Sequence, residues 1–138
     1  MTEIESALSE LLAKTNFPAE LGIRLVSANA GSCVVAAPLL PKTERPGGIM
    51  AGYVLVAAAD IAAWLAIKTL LGVDDDSVTS DLHTAFVRAA SGAITSRAEV
   101  IRCGRRLVTV GATTADDENR TVARHTVTYA RPTASGQP

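Results

Sequence analysis

The run Arg45–Trp64, RPGGIMAGYVLVAAADIAAW, decides how the rest of the chain is read. Pro46, Gly47 and Gly48 break regular structure, and after Gly52 the apolar stretch meets no further Gly or Pro until Gly72. Between Ala51 and Leu71 it reads as a helix of about 30 Å, long enough to cross a whole domain. A helix that is apolar all round belongs at the centre of a core. One charge is out of place there: between Arg45 and Lys68 the only charged residue is Asp60.

The same run, Gly47 to Ile67, has nearly the length of a bilayer-crossing helix. An Asp near its middle would cost about 2.5–3.5 kcal/mol on insertion. Its neighbours on both sides also alternate like half-buried strands, so the reading is a core helix and no membrane. The flanking segments supply the rest of the fold. Thr2 and Glu5 form a capping-box pattern ahead of Ile4, Leu8, Leu11 and Leu12, which predicts a helix ending near Asn16-Phe17-Pro18. Leu21, Ile23 and Leu25 alternate as a strand, NAGS (29–32) turns, and CVVAAPLL (33–40) returns.

After the acidic loop VDDD come four strand candidates: Ser77 to Arg88, Ala93 to Arg102, Arg106 to Thr114, and Thr121 to Ala130. ASG, CGR and DDEN separate them as turns. Short connections favour antiparallel pairing, and one sheet face must cover the apolar helix. The expected class is α+β, a curved antiparallel sheet around a long central helix. It forms a single domain over 1–138, with an N-terminal helix in 1–16 and a flexible tail over 131–138. The uncovered sheet face and helix edges point to a homo-oligomer.

Composition narrows the function classes. The chain has 138 residues, 48% hydrophobic and 20% charged, a globular balance with enough length for one core. Thirteen basic residues stand against fourteen acidic ones, and aromatic content is 4%. Neither a basic patch nor a base-stacking surface is indicated, so no nucleic-acid partner is expected. Cys33 and Cys103 have no metal-type spacing and read as reduced, buried, small hydrophobes. MTEIESALSELL lacks the basic and apolar regions of a secretory signal, which makes the cytoplasm the default location.

Asp60 is the first candidate for chemistry. Asp costs up to about 0.7 kcal/mol relative to Ala inside a helix, and burying an unpaired charge costs several more. The positions three and four residues away are Val56, Ala57, Ala63 and Trp64, so no local ion pair explains it. It is either a structural Asp bonded to another element or to Arg45, or a desolvated general base or nucleophile. The helix start is the second candidate. Gly47, Gly48 and Gly52 permit close backbone approach, and free N–H groups at a helix N-terminus favour developing negative charge. A thioester or ester carbonyl under attack by water develops such charge, which makes this a possible oxyanion hole.

RPGGIMAGYVLVAAADIA resembles the segment NPGGxxHGGxxxxLxDxA of the PaaI-like hotdog-fold acyl-CoA thioesterases, and the flanking segments agree in order from about Phe17 to Tyr129. The resemblance implies hydrolysis of a small or medium acyl-CoA thioester without metal or redox cofactor. It makes Asp60 the catalytic carboxylate and Gly52 the N–H donor to the thioester carbonyl. Arg45 takes the place of a polar substrate-positioning side chain. Family sites lie between protomers of a dimer or a dimer of dimers (a homotetramer), so Asp60 and Gly52 of one site would come from different subunits.

The chain departs from the family pattern at four positions. Ala51 replaces the family His, Tyr53 the second Gly of HGG, Arg45 an Asn or Gln, and Trp64 a frequent Ser or Thr. Trp64 can fill part of the acyl pocket, or simply pack. A non-catalytic acyl-CoA binding or sensing protein is the alternative that Ala51 raises. Gly48 and Tyr53 complete the helix-start candidates. Arg102, Arg105 and Arg106 flank a turn and are, by family analogy, candidates for the CoA phosphates. Thr79, Asp81 and His83 alternate on one strand and should share a face that could hold water or substrate. His83 and His125 have no ligand constellation around them, so no metal site is expected. No Gly-x-Ser-x-Gly, Walker A or dinucleotide fingerprint is present.

Overall fold

The computed structural model describes residues 1–132. Helices α1 (Glu3–Ala13) and α2 (Asn16–Glu20) lead into strands β1 (Arg24–Asn29), β2 (Ser32–Ala37), β3 (Glu44–Arg45) and β4 (Ile49–Met50). Helix α3 (Gly52–Leu71) follows, then strands β5 (Val78–Phe86), β6 (Ile94–Cys103), β7 (Leu107–Asp116) and β8 (Thr121–Ala130). Six strands form one antiparallel sheet in the order β1-β2-β6-β7-β8-β5, and β3 with β4 makes a small separate hairpin.

Eleven of the twenty α3 residues are buried, because the sheet lays the inward side chains of β2, β6 and β7 against them. Ala58, Ala59, Ala62, Ala63 and Ala66 are small enough for close approach, and Val35, Ile94, Ala98, Val108, Val110 and Val127 face them from the strands. The helix is therefore a core helix, although its length and composition would let it cross a membrane. Gly72 stops it at φ +104°, in the region that favours glycine. This is the expected hotdog arrangement, a sheet wrapped around one long helix.

One polar row crosses the inner face. Thr114 Oγ1 donates to Ser96 Oγ (3.1 Å), which leaves it to accept from His125 Nε2 (2.8 Å). His125 Nδ1 then accepts from Thr84 Oγ1 (2.8 Å). With every ring nitrogen partnered, burial lowers the His125 pKa to about 4 and the imidazole is neutral.

The two sheet edges differ. α1 covers β1, burying Leu8 and Leu12, and Glu5 Oε2 accepts from the Ala28 N–H at 2.9 Å. Nothing among the described residues pairs with the outer edge of β5. Val78, Phe86 and Val87 along it, and Tyr53 on the first turn of α3, are each more than half exposed.

Several boundaries depart from the sequence expectation. The first helix breaks at Lys14 and Thr15, and Pro18 falls in the first turn of α2, where its missing N–H has no helical partner to lose. β1 begins at Arg24 and not Leu21, because Gly22 turns at φ +72°. The segment 41–48 carries the first strand of a hairpin too short to leave a periodic signal. Cys103 ends β6 beside the β6–β7 turn and is exposed; only Cys33 is buried, which pushes its thiol up to about 12. In the expected flexible tail, Arg131 is tied down: its N–H donates to Arg106 O (2.8 Å) and its Nη1 to Gly104 O (2.9 Å). Residues 133–138 lie outside the described residues.

Candidate active site

Asp60 is held from the sheet. Thr79 Oγ1 of β5 donates to Asp60 Oδ1 at 2.8 Å, and Tyr129 Oη of β8 donates to the same oxygen at 2.9 Å. Tyr129 Oη also lies 3.1 Å from the Asp60 carbonyl oxygen. Burial, reinforced by the Asp60 carboxylate, pushes the Tyr129 phenol well above its ordinary range, so it stays a donor. These hydrogen bonds to a carboxylate offset its desolvation where no cation is at hand. Oδ2 has no protein partner among the described residues. The carboxylate is thus fixed through one oxygen and available through the other. It lines a cavity of about 280 Å³ with Ile61, Trp64, Thr79, Tyr129 and Phe17.

Tyr129 was not among the sequence candidates. Its signal was only positional: it alternates with Val127 and His125 on the inward face of β8, which marks it as a core residue and not as a carboxylate partner.

The helix start is fixed by two backbone bonds. Ala51 N–H donates to Thr43 O and Met50 N–H to Ala90 O, both at 2.8 Å. Ala51 is the N-cap and supplies no side-chain cap, and Gly52 is the first helical residue. The N–H groups of Gly52 and Tyr53 have no acceptor among the described residues. Gly52 lines a second cavity, of about 370 Å³, with Arg45, Leu55, Phe86 and Arg88. A Cβ on Gly52 would stand 3.3 Å from the Phe86 ring, so glycine keeps this amide open to the cavity. Arg88, which follows β5, was also missed by the sequence reading.

Asp60 and Gly52 do not meet within one chain. Eight residues of helix separate them by about 12 Å. One carbonyl group cannot touch both.

The other predicted residues divide by location. Arg45 is exposed and lines the Gly52 cavity. Trp64 lines the Asp60 cavity one turn beyond the carboxylate. Gly48 sits in the β3–β4 turn at φ +72°, and Tyr53 is 58% exposed; neither lines either cavity. Arg102, Arg105 and Arg106 cluster at the β6–β7 turn, also outside both. The expected common face of Thr79, Asp81 and His83 is not formed. A bulge between Thr79 and Asp81 takes up one residue and inverts the alternation. Thr79 pairs with Tyr129 and faces the helix, whereas Asp81 pairs with Thr128, and His83 lines a groove on the outer face with Arg97 and Arg124. No group of three or more His, Cys, Asp and Glu side chains suited to a metal ion occurs among the described residues.

Comparison with known proteins bears on the family and the fold. Residues 47–123 match the model of the thioesterase superfamily. A Saccharolobus solfataricus protein named as a candidate esterase is 31% identical over 120 residues, 86% of this chain and 79% of the relative. The structure of the conserved protein PA5202 from Pseudomonas aeruginosa superposes with a TM-score of 0.81 at 28% identity, covering 85% of this chain and 94% of that one. A point mutant of the phenylacetic acid degradation protein PaaI from Thermus thermophilus gives 0.77 at 25% identity, covering 85% and 99%.

Proposed function

The chain belongs to the thioesterase superfamily, with the hotdog fold of its PaaI-like members, and from that premise we propose that it hydrolyses small or medium acyl-CoA thioesters with Asp60 as the catalytic carboxylate. Thioester hydrolysis follows from the family. The observation that carries the finer reading is the carboxylate itself, anchored through Oδ1 by two hydroxyls, lining an apolar cavity, and with Oδ2 free of any partner among the described residues.

The site requires two protomers. β5 has an open edge and runs from Val78, beside the Asp60 cavity, to Phe86, beside the Gly52 cavity. Pairing of β5 with its symmetry mate about Leu82 sets Val78 of one copy against Phe86 of the other. Such isologous pairing joins the Asp60 cavity of each protomer to the Gly52 cavity of its partner. It also covers the exposed Val78, Phe86 and Val87. The homo-oligomer in this reading is at least a dimer.

In that joint site the acyl group lies in the apolar Asp60 cavity, and the thioester oxygen accepts from the Gly52 N–H of the partner subunit. Asp60 either takes a proton from water as the water adds to the carbonyl carbon, or adds through Oδ2 to give an anhydride that water then opens. In both routes the oxyanion develops against a fixed N–H at a helix N-terminus. In the first route collapse expels the CoA thiolate, which takes the proton from Asp60, and leaves the free acid. In the second it expels the thiolate and leaves the anhydride, which water opens to the free acid and the regenerated Asp60. Arg45 and Arg88 beside Gly52 suit the CoA phosphates better than the Arg102, Arg105 and Arg106 cluster, which lies away from either cavity. No metal or redox cofactor enters this chemistry.

Asp60→Asn keeps the size of the side chain and the hydroxyl contacts to Oδ1. It should lower acyl-CoA hydrolysis, measured by thiol release, by at least about a thousandfold with an unchanged circular dichroism spectrum. A folded Asn variant with wild-type turnover would end the proposal. Tight acyl-CoA binding by the wild type with no thiol release would point to a sensing protein.

A further inference from the structure

One buried cation has no role in the chemistry above. Lys68 is 4% exposed, near the C-terminal end of α3. Its Nζ donates to Val73 O and to Asp75 O, both at 2.7 Å, and lies 5.2 Å from the centre of the Trp64 ring. An ammonium over an indole face at that distance is attracted to it, and more strongly when desolvated. Two carbonyls of the 72–75 turn therefore fix the cation, and the cation fixes the indole.

Trp64 lies one helical turn, about 6 Å, beyond Asp60 and on the side away from Gly52. There it lines the Asp60 cavity together with Thr15, Phe17 and Ser77, and Lys68 follows one turn later on the helix. That cavity, at about 280 Å³, lies just below the usual range for small-molecule pockets, about 300–1,000 Å³.

Resting on the reading of the Asp60 cavity as the acyl site, we propose that Trp64, clamped by Lys68, is its end wall and restricts the enzyme to short, compact acyl groups. Trp64 determines specificity by contact. Lys68 is a positioning residue that acts through the indole. Removing the wall opens the volume of the indole to further methylenes, and each one buried there should raise kcat/KM by about fourfold.

Trp64 is the only tryptophan of the chain, so its emission reports this wall directly. The experiment uses saturated acyl-CoAs from acetyl to dodecanoyl with two readouts, thiol release and titration of tryptophan emission. For the wild type, kcat/KM should peak at or below hexanoyl-CoA, and the emission response should fade for longer chains. Trp64→Ala should move the peak to octanoyl-CoA or beyond and raise the dodecanoyl-to-butanoyl ratio by at least about fifteenfold, the equivalent of two methylenes. Trp64→Phe should fall between. Lys68→Met should shift the ratio in the same direction and lower the fluorescence anisotropy of Trp64. Lys68→Arg, which keeps a cation over the ring, should restore both.

A folded Trp64→Ala protein with the wild-type chain-length profile would overturn the proposal, as would a wild type that prefers dodecanoyl-CoA. Should no acyl-CoA release thiol, the hydrolysis reading fails by itself. The emission titration then decides the wall, with a response confined to short chains upholding it and a response indifferent to length refuting it.

Discussion

Gly52 offers a substitution that removes one N–H at a position where the helix accepts proline. It is the first residue of α3, a position where proline fits because the N–H has no helical acceptor. The preceding Ala51 has φ −59° and ψ 138°, within the extended region that a residue before proline adopts. Gly52→Pro should therefore fold. It deletes the amide assigned to the thioester oxyanion, and loss of one such donor lowers kcat by about 10²–10³, or about 2.7–4 kcal/mol. Gly52→Ala is the control: it keeps the N–H and meets the same Phe86 ring, 3.3 Å from the new Cβ. The ratio of the two kcat values in a thiol-release assay separates the replacement of the N–H from the contact of the added Cβ. With the oxyanion hole at Gly52, the Ala variant stays within about tenfold of wild type and the Pro variant falls a further hundredfold or more. Equal turnover in two well-folded variants would refute the assignment.

Three further outcomes follow from the geometry. Tyr129→Phe removes one of the two hydroxyls on Asp60 Oδ1 without changing the shape of the ring. At about 1.5–3 kcal/mol for a hydrogen bond to a charged group, kcat/KM should fall roughly 10- to 150-fold. Thr79→Val should act similarly, and the double variant should lose less than the product, since both donors serve one oxygen. His125 is neutral when folded, with a pKa of about 4 against about 6.5 when unfolded. The unfolded state then binds the extra proton, so this stability is complete above about pH 6.5 and is lost as pH falls toward 4, by up to about 3 kcal/mol. Urea midpoints measured from pH 7 to 4.5 should decline, and His125→Gln should flatten that decline.

How much of this was legible in the sequence varied with the scale of the feature. The central helix announced itself through an unbroken apolar run ending at Gly72, and the four C-terminal strands through period-two alternation between turn signals. Asp60 stood out because nothing on its own helix could pair with it. Its actual partners were hidden because they sit on two strands that become neighbours only when β8 pairs with β5. The bulge at Ser80 was invisible for a related reason. Alternation predicts a face only while the ladder keeps its register, and one extra residue separated Thr79 from Asp81 and His83. Arg45 and Gly52 share a cavity, whereas the Arg102–Arg106 turn, which composition alone makes equally attractive, lies away from it.

The central claim is that one site draws Asp60 from one protomer and Gly52 from its partner. Complementation between two inactive chains tests it most directly. Asp60→Asn and Gly52→Pro proteins are each assayed alone, then unfolded together, refolded as a mixture and assayed again. A mixed dimer holds one site with both groups intact and one with neither. Half the dimers are mixed in a random population, so activity should recover to about a quarter of wild type. A mixture as inactive as its two components, with mixed dimers present by mass spectrometry, would contradict the shared site.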